Sequence, residues 1–151
     1  MNIKTQNKRG FTLIELIVVI MLMGIITMIA LPGFQSWMAK SRLNGAARQI
    51  MSDLMNARMK AASENNRFIL TVINNHQYTI LDDNNNNGAA NTGEIIITKD
   101  IKTSYPDVTL SATGTFTFYP PGLAFGATCT VTNRAGSKNI TLSSGGRVKI
   151  Q

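Results

Sequence analysis

The sequence predicts an α+β fold in which one long N-terminal helix packs on a mostly antiparallel β-sheet or sandwich. Three observations lead to this prediction. An apolar stretch of about twenty residues follows a short basic leader, an amphipathic stretch with helical spacing comes next, and short β-branched runs separated by polar turns fill the remainder. The 151 residues include one cysteine, so no intrachain disulfide can form, and one small domain beyond the helix suits the length.

The first ten residues form a basic leader, which contains Lys4, Lys8 and Arg9 and no acid. Such a segment is typically retained on the cytoplasmic side of a membrane, and we exclude it from the fold. Three cations soon after the apolar stretch balance those of the leader, so charge alone does not decide the orientation. Without the leader, twelve cations remain against eight acids, which makes the mature chain mildly basic.

The apolar stretch from Phe11 to Leu31 is long enough to cross a bilayer. Glu15 lies inside it, where a charge costs about 2.5 to 3.5 kcal/mol on insertion scales, so its presence indicates a function. A secretory signal fits poorly because it has a shorter apolar core and a small-residue cleavage site; a plain signal anchor is the stronger alternative. Gly24 and Pro32 both weaken a helix and predict a kink or an unwound stretch between them.

The helix is predicted to continue to about Asn66 with an amphipathic second half. Its apolar positions recur every three or four residues, which predicts one face packed on the following sheet. These positions are Leu43, Ala47, Ile50, Leu54, Ala57 and Ala61.

After Arg67, β-branched and aromatic runs between polar turns predict eight strands. They are expected at 68–73, 77–81, 94–98, 108–111, 115–119, 128–132, 139–142 and 148–150.

The run Gly10-Phe11-Thr12-Leu13-Ile14-Glu15 resembles the type IV prepilin signal. The resemblance implies that a prepilin peptidase/methylase cleaves between Gly10 and Phe11 and N-methylates Phe11. Two further stretches, 53–67 and the ending 140–150, resemble the GspH/FimT family of pseudopilins and minor pilins. The absence of the C-terminal disulfide loop of many major pilins favours a minor pilin or pseudopilin.

This resemblance implies a structural subunit that initiates or caps a type IV pilus or a type II secretion pseudopilus, and not an enzyme. Its partners would be other pilins or pseudopilins and an inner-membrane assembly platform. The implied organisation is a cleaved leader (1–10), a transmembrane and assembly helix (11–34) and a periplasmic pilin-like domain (35–151) that includes the amphipathic helix 35–66. The chain would be a single-pass protein of the bacterial inner membrane that enters the filament.

Cleavage would expose the α-amine of Phe11 in the same low-dielectric layer as Glu15. The amine of a neighbouring subunit would then neutralise the carboxylate and set the register of each incoming subunit. The alternative interpretation is that Glu15 interacts only with the dipole of its own helix start.

The asparagine-rich loop 82–94 is a candidate calcium site, with Asp83, Asn85, Asn87 and Glu94 as ligands. From Asp83 it satisfies the calcium-loop pattern D-x-N-x-N-G followed by five residues and a glutamate. Strands rather than helices are predicted on either side, and a flexible polar turn is the alternative.

A basic C-terminal segment is a candidate DNA-binding site. Arg147 and Lys149 would project from one face of a strand about 7 Å apart, a spacing suited to successive phosphates, and Arg134 and Lys138 would widen the patch. FimT-type minor pilins are linked to DNA uptake through a similar motif. The alternative is an edge strand protected by charge.

Catalysis has little support in the sequence. His76 is the only histidine and is predicted to lie in a turn, whereas Cys129 is predicted to be a small core residue of a strand. A membrane-anchored enzyme is the third and weakest hypothesis.

Overall fold

A computed structural model describes residues 10–120 and 122–151 of the chain. The predicted cleaved leader therefore lies outside the described residues, apart from Gly10. The chain separates into two compact units, one ending at Trp37 and the other spanning Met38–Gln151.

The chain begins with a single helix, α1, that spans Leu13–Glu64. It continues through Gly24 and Pro32, so the structure has no unwound stretch between them; a bend there stays a prediction. Proline removes only one backbone donor, and the bonds before and after it suffice to maintain the helix. The helix ends where Asn65 adopts a left-handed conformation (φ 59°), a backbone geometry that asparagine tolerates well.

Nine strands follow among the described residues, and every pairing between them is antiparallel. Five form one sheet in the order β3-β2-β1-β5-β6, and four form a second in the order β4-β7-β8-β9. The strands are β1 (Arg67–Val72), β2 (Gln77–Asp83), β3 (Ile95–Asp100), β4 (Thr109–Ala112), β5 (Phe116–Phe118), β6 (Ala124–Phe125), β7 (Ala127–Asn133), β8 (Gly136–Leu142) and β9 (Val148–Ile150).

All six predicted apolar positions of the amphipathic helix are buried, which confirms the predicted face. They form one core with residues of both sheets, among them Phe116, Phe118 and Ile140. Four alanines on this face of α1 lie in the core, and their small side chains permit a close approach of helix and sheets. The predicted α+β architecture is confirmed.

The turn between β8 and β9 packs tightly on neighbouring backbone. Gly146 has a φ of 74°, and a Cβ at this position would collide with the carbonyl oxygen of Gly122. Only glycine satisfies both constraints at low cost, so this turn depends on residue identity more than the others.

Candidate functional site: assembly helix and the surfaces of the folded unit

The first candidate site is the start of α1. Gly10 and Phe11 precede the helix and are exposed, which leaves the predicted scissile bond accessible. The Glu15 amide donates to Thr12 Oγ1 at 3.3 Å, so Thr12 caps the helix and Glu15 occupies its third position. This geometry agrees with a local role for Glu15. The carboxylate is nevertheless exposed, which also leaves it available to another subunit.

The helix surface after Glu15 is apolar and unburied. α1 is the one described helix whose length and composition suffice to cross a membrane, and the apolar part of it has no buried residue. Side chains as large as Phe34 and Trp37 are 54% and 64% exposed. A surface of this kind requires lipid or other helices around it.

One buried charged group on α1 is a feature that sequence reasoning missed. Asp53 is 7% exposed and lies on the apolar face of α1. It accepts a hydrogen bond from the Tyr78 hydroxyl, and Lys99 Nζ lies 2.6 Å from its other oxygen. The helical spacing from Ile50 and Ala57 already placed Asp53 on the inward face, but its partners come from strands whose register the sequence did not reveal.

Burial and the neighbouring Asp53 carboxylate raise the pKa of Tyr78 far above its ordinary value. The hydroxyl is therefore a permanent donor at physiological pH. The hydrogen bonds of Tyr78 and Lys99 to Asp53 connect α1 with β2 and β3. Asp53 and Lys99 also line a cavity of about 190 Å³ between α1 and β3. No acid–base step follows from this arrangement, since Tyr78 is fully enclosed.

The four calcium candidates lie around the β2–β3 loop, and the Asp83 carboxylate already interacts with other groups of the protein. Its carboxylate accepts from the amides of Asn87 (3.1 Å) and Gly88 (2.7 Å), and the Arg67 guanidinium lies 3.8 Å away. Glu94 accepts from the Asn91 amide at 2.8 Å. Among the described residues, no group of three or more His, Cys, Asp or Glu side chains is placed to hold a metal.

These bonds explain the fold of the loop without an ion, because a carboxylate that accepts several backbone bonds is already satisfied. The second oxygen of Glu94 is buried and has no hydrogen-bond partner within residues 10–120 and 122–151. Calcium binding stays a prediction.

The basic C-terminal residues include two, Lys138 and Lys149, that lie on opposite faces of their sheet. Arg147 and Lys149 are exposed on either side of the buried Val148. Lys138 is half-buried and lies on the same face of β8 as the buried Ile140, whereas Lys149 pairs with Thr141 on the opposite face. Lys138 instead lines a groove with Arg48 of α1. Strand alternation places Lys138 and Lys149 on opposite faces of the sheet, and the contribution of Lys138 to DNA binding stays a prediction. Arg134 is exposed in the β7–β8 turn.

The two residues considered for catalysis are placed as predicted. Cys129 is fully buried in β7, and burial raises the pKa of its thiol to about 11. His76 lies in the β1–β2 turn, where its amide donates to Asn74 Oδ1 at 2.8 Å. A buried neutral thiol is a poor nucleophile.

Comparison with known proteins identifies the family. Residues 46–146 match type II transport protein GspH, and residues 5–31 match the prokaryotic N-terminal methylation motif. The chain belongs to the GspH family.

Two relatives from Eikenella corrodens share short segments with this GspH-family chain. Fimbrial protein EcpC is 49% identical over 41 residues, which is 27% of each protein. Fimbrial protein EcpB is 54% identical over 37 residues, which is 24% of this chain and 23% of EcpB. The chain thus spans about a quarter of the length of the two relatives it matches.

Solved structures show the same fold at low sequence identity. Type IV minor pilin FimU of Pseudomonas aeruginosa superposes with a TM-score of 0.56 at 17% identity, over 74% of this chain and 90% of FimU. Minor pseudopilin EpsH from the type 2 secretion system of Vibrio cholerae gives 0.59 at 11% identity, over 73% of this chain and 96% of EpsH. The pilin-like fold is therefore established.

Proposed function

We propose that this chain initiates or caps a helical filament rooted in the bacterial inner membrane, as a minor subunit of a type IV pilus or a type II secretion pseudopilus. One observation carries the proposal: the apolar part of α1 is wholly unburied and carries one acid, Glu15, which lies within the segment that matches the N-terminal methylation motif. The same surface can lie in lipid before assembly and pack against the helices of other subunits afterwards.

The organisation that we propose follows from this. A prepilin peptidase removes residues 1–10 and methylates Phe11. Residues 11–34 anchor the chain in the membrane and later contact other subunits in the filament, and residues 35–151 form the periplasmic domain. Glu15 then pairs with the α-amine of Phe11 in a neighbouring subunit, because an unpaired charge in that layer is costly and a pair less so. Its exposure in the free chain leaves it available for that contact.

A second surface supports assembly. β3 is an edge strand of the five-stranded sheet, and its three isoleucines, Ile95, Ile96 and Ile97, are 59%, 50% and 45% exposed. Apolar edge strands invite pairing with another chain, so natural proteins usually protect or cover them. In a filament this edge is a candidate contact between subunits.

The decisive test is Glu15→Ala beside the wild type, with Glu15→Gln as a matched variant that keeps the helix length and polar character. We expect membrane insertion and leader cleavage to persist while incorporation into sheared filaments falls at least tenfold in both variants. Incorporation at the wild-type level would contradict intersubunit pairing and leave Glu15 with its local helix role. A Gly10 variant that abolishes cleavage gives the unprocessed control.

The second candidate function is DNA binding by a minor pilin during DNA uptake. The favouring observation is that Arg147 and Lys149 are both exposed beside a buried residue, so they are accessible together. Titration of duplex DNA across a salt series, with and without alanine at both positions, tests it. Binding that weakens with salt and loses about two units of salt slope with the double substitution supports the function. Absence of binding at low salt rules it out.

A further inference from the structure

The last strand, β9, has an unpaired edge. It is the terminal strand of its sheet and pairs with β8 alone. Asn139 and Gln151 exchange backbone hydrogen bonds of 3.0 and 2.8 Å. Since bonded and non-bonded pairs alternate in an antiparallel ladder, Val148 and Ile150 direct their amides and carbonyls away from β8. Two residues of β9, of which Val148 is 7% exposed and Ile150 is half-buried, therefore have backbone donors and acceptors that the pairing with β8 does not use.

Two grooves connect this edge with one stripe of α1. One, of about 380 Å³, is lined by Met55, Arg58, Met59 and the segment 146–148. The other, of about 440 Å³, is lined by Asn44, Ala47, Arg48, Lys138 and Ile150. The helix positions 44, 48, 55 and 59 lie on one side of α1, because they differ by nearly whole helical turns.

Each groove contains two cations, and one of the two grooves also contains two methionines. Arg58 and Arg147 line one groove, whereas Arg48 and Lys138 line the other, and neither contains an acid among the described residues. None of these four cations takes part in the ion pairs found within residues 10–120 and 122–151. Met55 and Met59 are 42% and 61% exposed and provide an adaptable apolar wall.

We propose that an extended acidic segment of a partner protein binds here, adding a strand to β9 and pairing its carboxylates with these four cations. Its backbone would bond to Val148 and Ile150, and its apolar side chains would contact the methionines. Charge complementarity selects an acidic occupant, and the free strand edge selects a polypeptide. Duplex DNA would satisfy the cations but neither the strand edge nor the methionines, so it is the less suitable ligand.

Two kinds of variant of the full chain, purified in detergent, test the charge pairing and the strand addition separately. Arg58→Glu combined with Lys138→Glu reverses charge in both grooves, and Lys102→Glu makes the same change in a turn that lines neither groove. Ile150→Pro removes an outward-directed amide without removing the β8–β9 bonds made by Gln151. Circular dichroism shows whether each variant keeps its fold.

The probe is a fluorescent peptide of about eight residues that alternates valine and glutamate, with a valine–lysine peptide as the control. An extended chain of this length reaches along β9 and both grooves. We expect the acidic peptide alone to bind, with at least tenfold weaker affinity in the charge-reversal and Ile150→Pro variants and unchanged affinity in Lys102→Glu. If Ile150→Pro fails to fold, the comparison of the Arg58→Glu and Lys138→Glu double variant with Lys102→Glu decides whether the proposal holds.

Three results would overturn the proposal: no binding of the acidic peptide, equal binding by the charge-reversal variant, or equal binding by a folded Ile150→Pro variant. Binding of a duplex DNA probe in place of the peptide would also overturn it and assign the cations to nucleic acid. These outcomes are independent of filament assembly, which the Glu15 variants measure separately.

Discussion

The hydroxyl of Tyr78 is expected to contribute about 2 kcal/mol to the free energy of unfolding, and Tyr78→Phe measures it. The ring is fully buried, and phenylalanine preserves its packing. The substitution deletes the hydrogen bond to Asp53, which lies 7% exposed. A hydrogen bond to a charged group contributes about 1.5 to 3 kcal/mol, and removing it leaves one buried carboxylate oxygen without that donor.

Lys99 limits the loss, because its ammonium group remains 2.6 Å from the other carboxylate oxygen. We therefore expect a loss of stability near the middle of the range of about 1.5 to 3 kcal/mol. Urea unfolding of the soluble fragment 38–151 at pH 7 measures the change, and a difference of about 2 kcal/mol corresponds to a fall in Tm of roughly 6 to 10 °C. The m-value should stay constant if the native fold is retained.

Tyr119→Phe is the matched control. The Arg67 guanidinium lies over this ring at 5.0 Å, a contact that phenylalanine preserves. No hydrogen bond of the Tyr119 hydroxyl occurs among the described residues, so the control should change stability by less than about 0.5 kcal/mol. Equal effects of the two substitutions would refute the assigned role of the Asp53–Tyr78 bond.

Three further predictions follow from the folded unit. Gly146→Ala should lower stability by about 2 kcal/mol or more in urea unfolding through its φ of 74° and the clash with Gly122, whereas Gly145→Ala, with open space around it, should have little effect. Above pH 9 the unfolded chain ionises Cys129 before the folded chain, whose thiol pKa is about 11; stability should fall from about pH 9 to 11, and less so in Cys129→Ala. If the β2–β3 loop binds calcium, 1 mM calcium should raise the Tm and Glu94→Gln should abolish the rise; equal Tm values with calcium and with chelator would refute the site.

The parts of the fold that depend on local pattern were predictable. The buried face of α1 followed from helical spacing, and eight strands followed from composition near their observed limits. β6 was missed because two residues, Ala124 and Phe125, are too few to show a period. The separation of Lys138 from Lys149 needed the β8–β9 register, which no local pattern contains.

The same distinction applies to the candidate sites. Gly10, Phe11 and Glu15 belong to a linear motif, so sequence alone was enough to predict them as site residues. Asp53 depends on Tyr78 and Lys99, which lie 25 and 46 residues away in the chain, and such pairing becomes visible only in the folded structure. The groove beside β9 likewise combines the helix with the last strand.

The folded unit presents two unlike strand edges, and this difference would bear on how a subunit of the proposed filament selects its neighbours. β3 carries three exposed isoleucines, so pairing there would be driven by apolar burial and would tolerate many partners. β9 is flanked by cations, so pairing there would favour acidic segments and reject basic ones. In the proposed filament, the apolar part of α1 would supply strong but unselective association, because apolar helices resemble one another. Discrimination among partners therefore has to reside in the folded unit, and the charged edge is better suited to it than the apolar one.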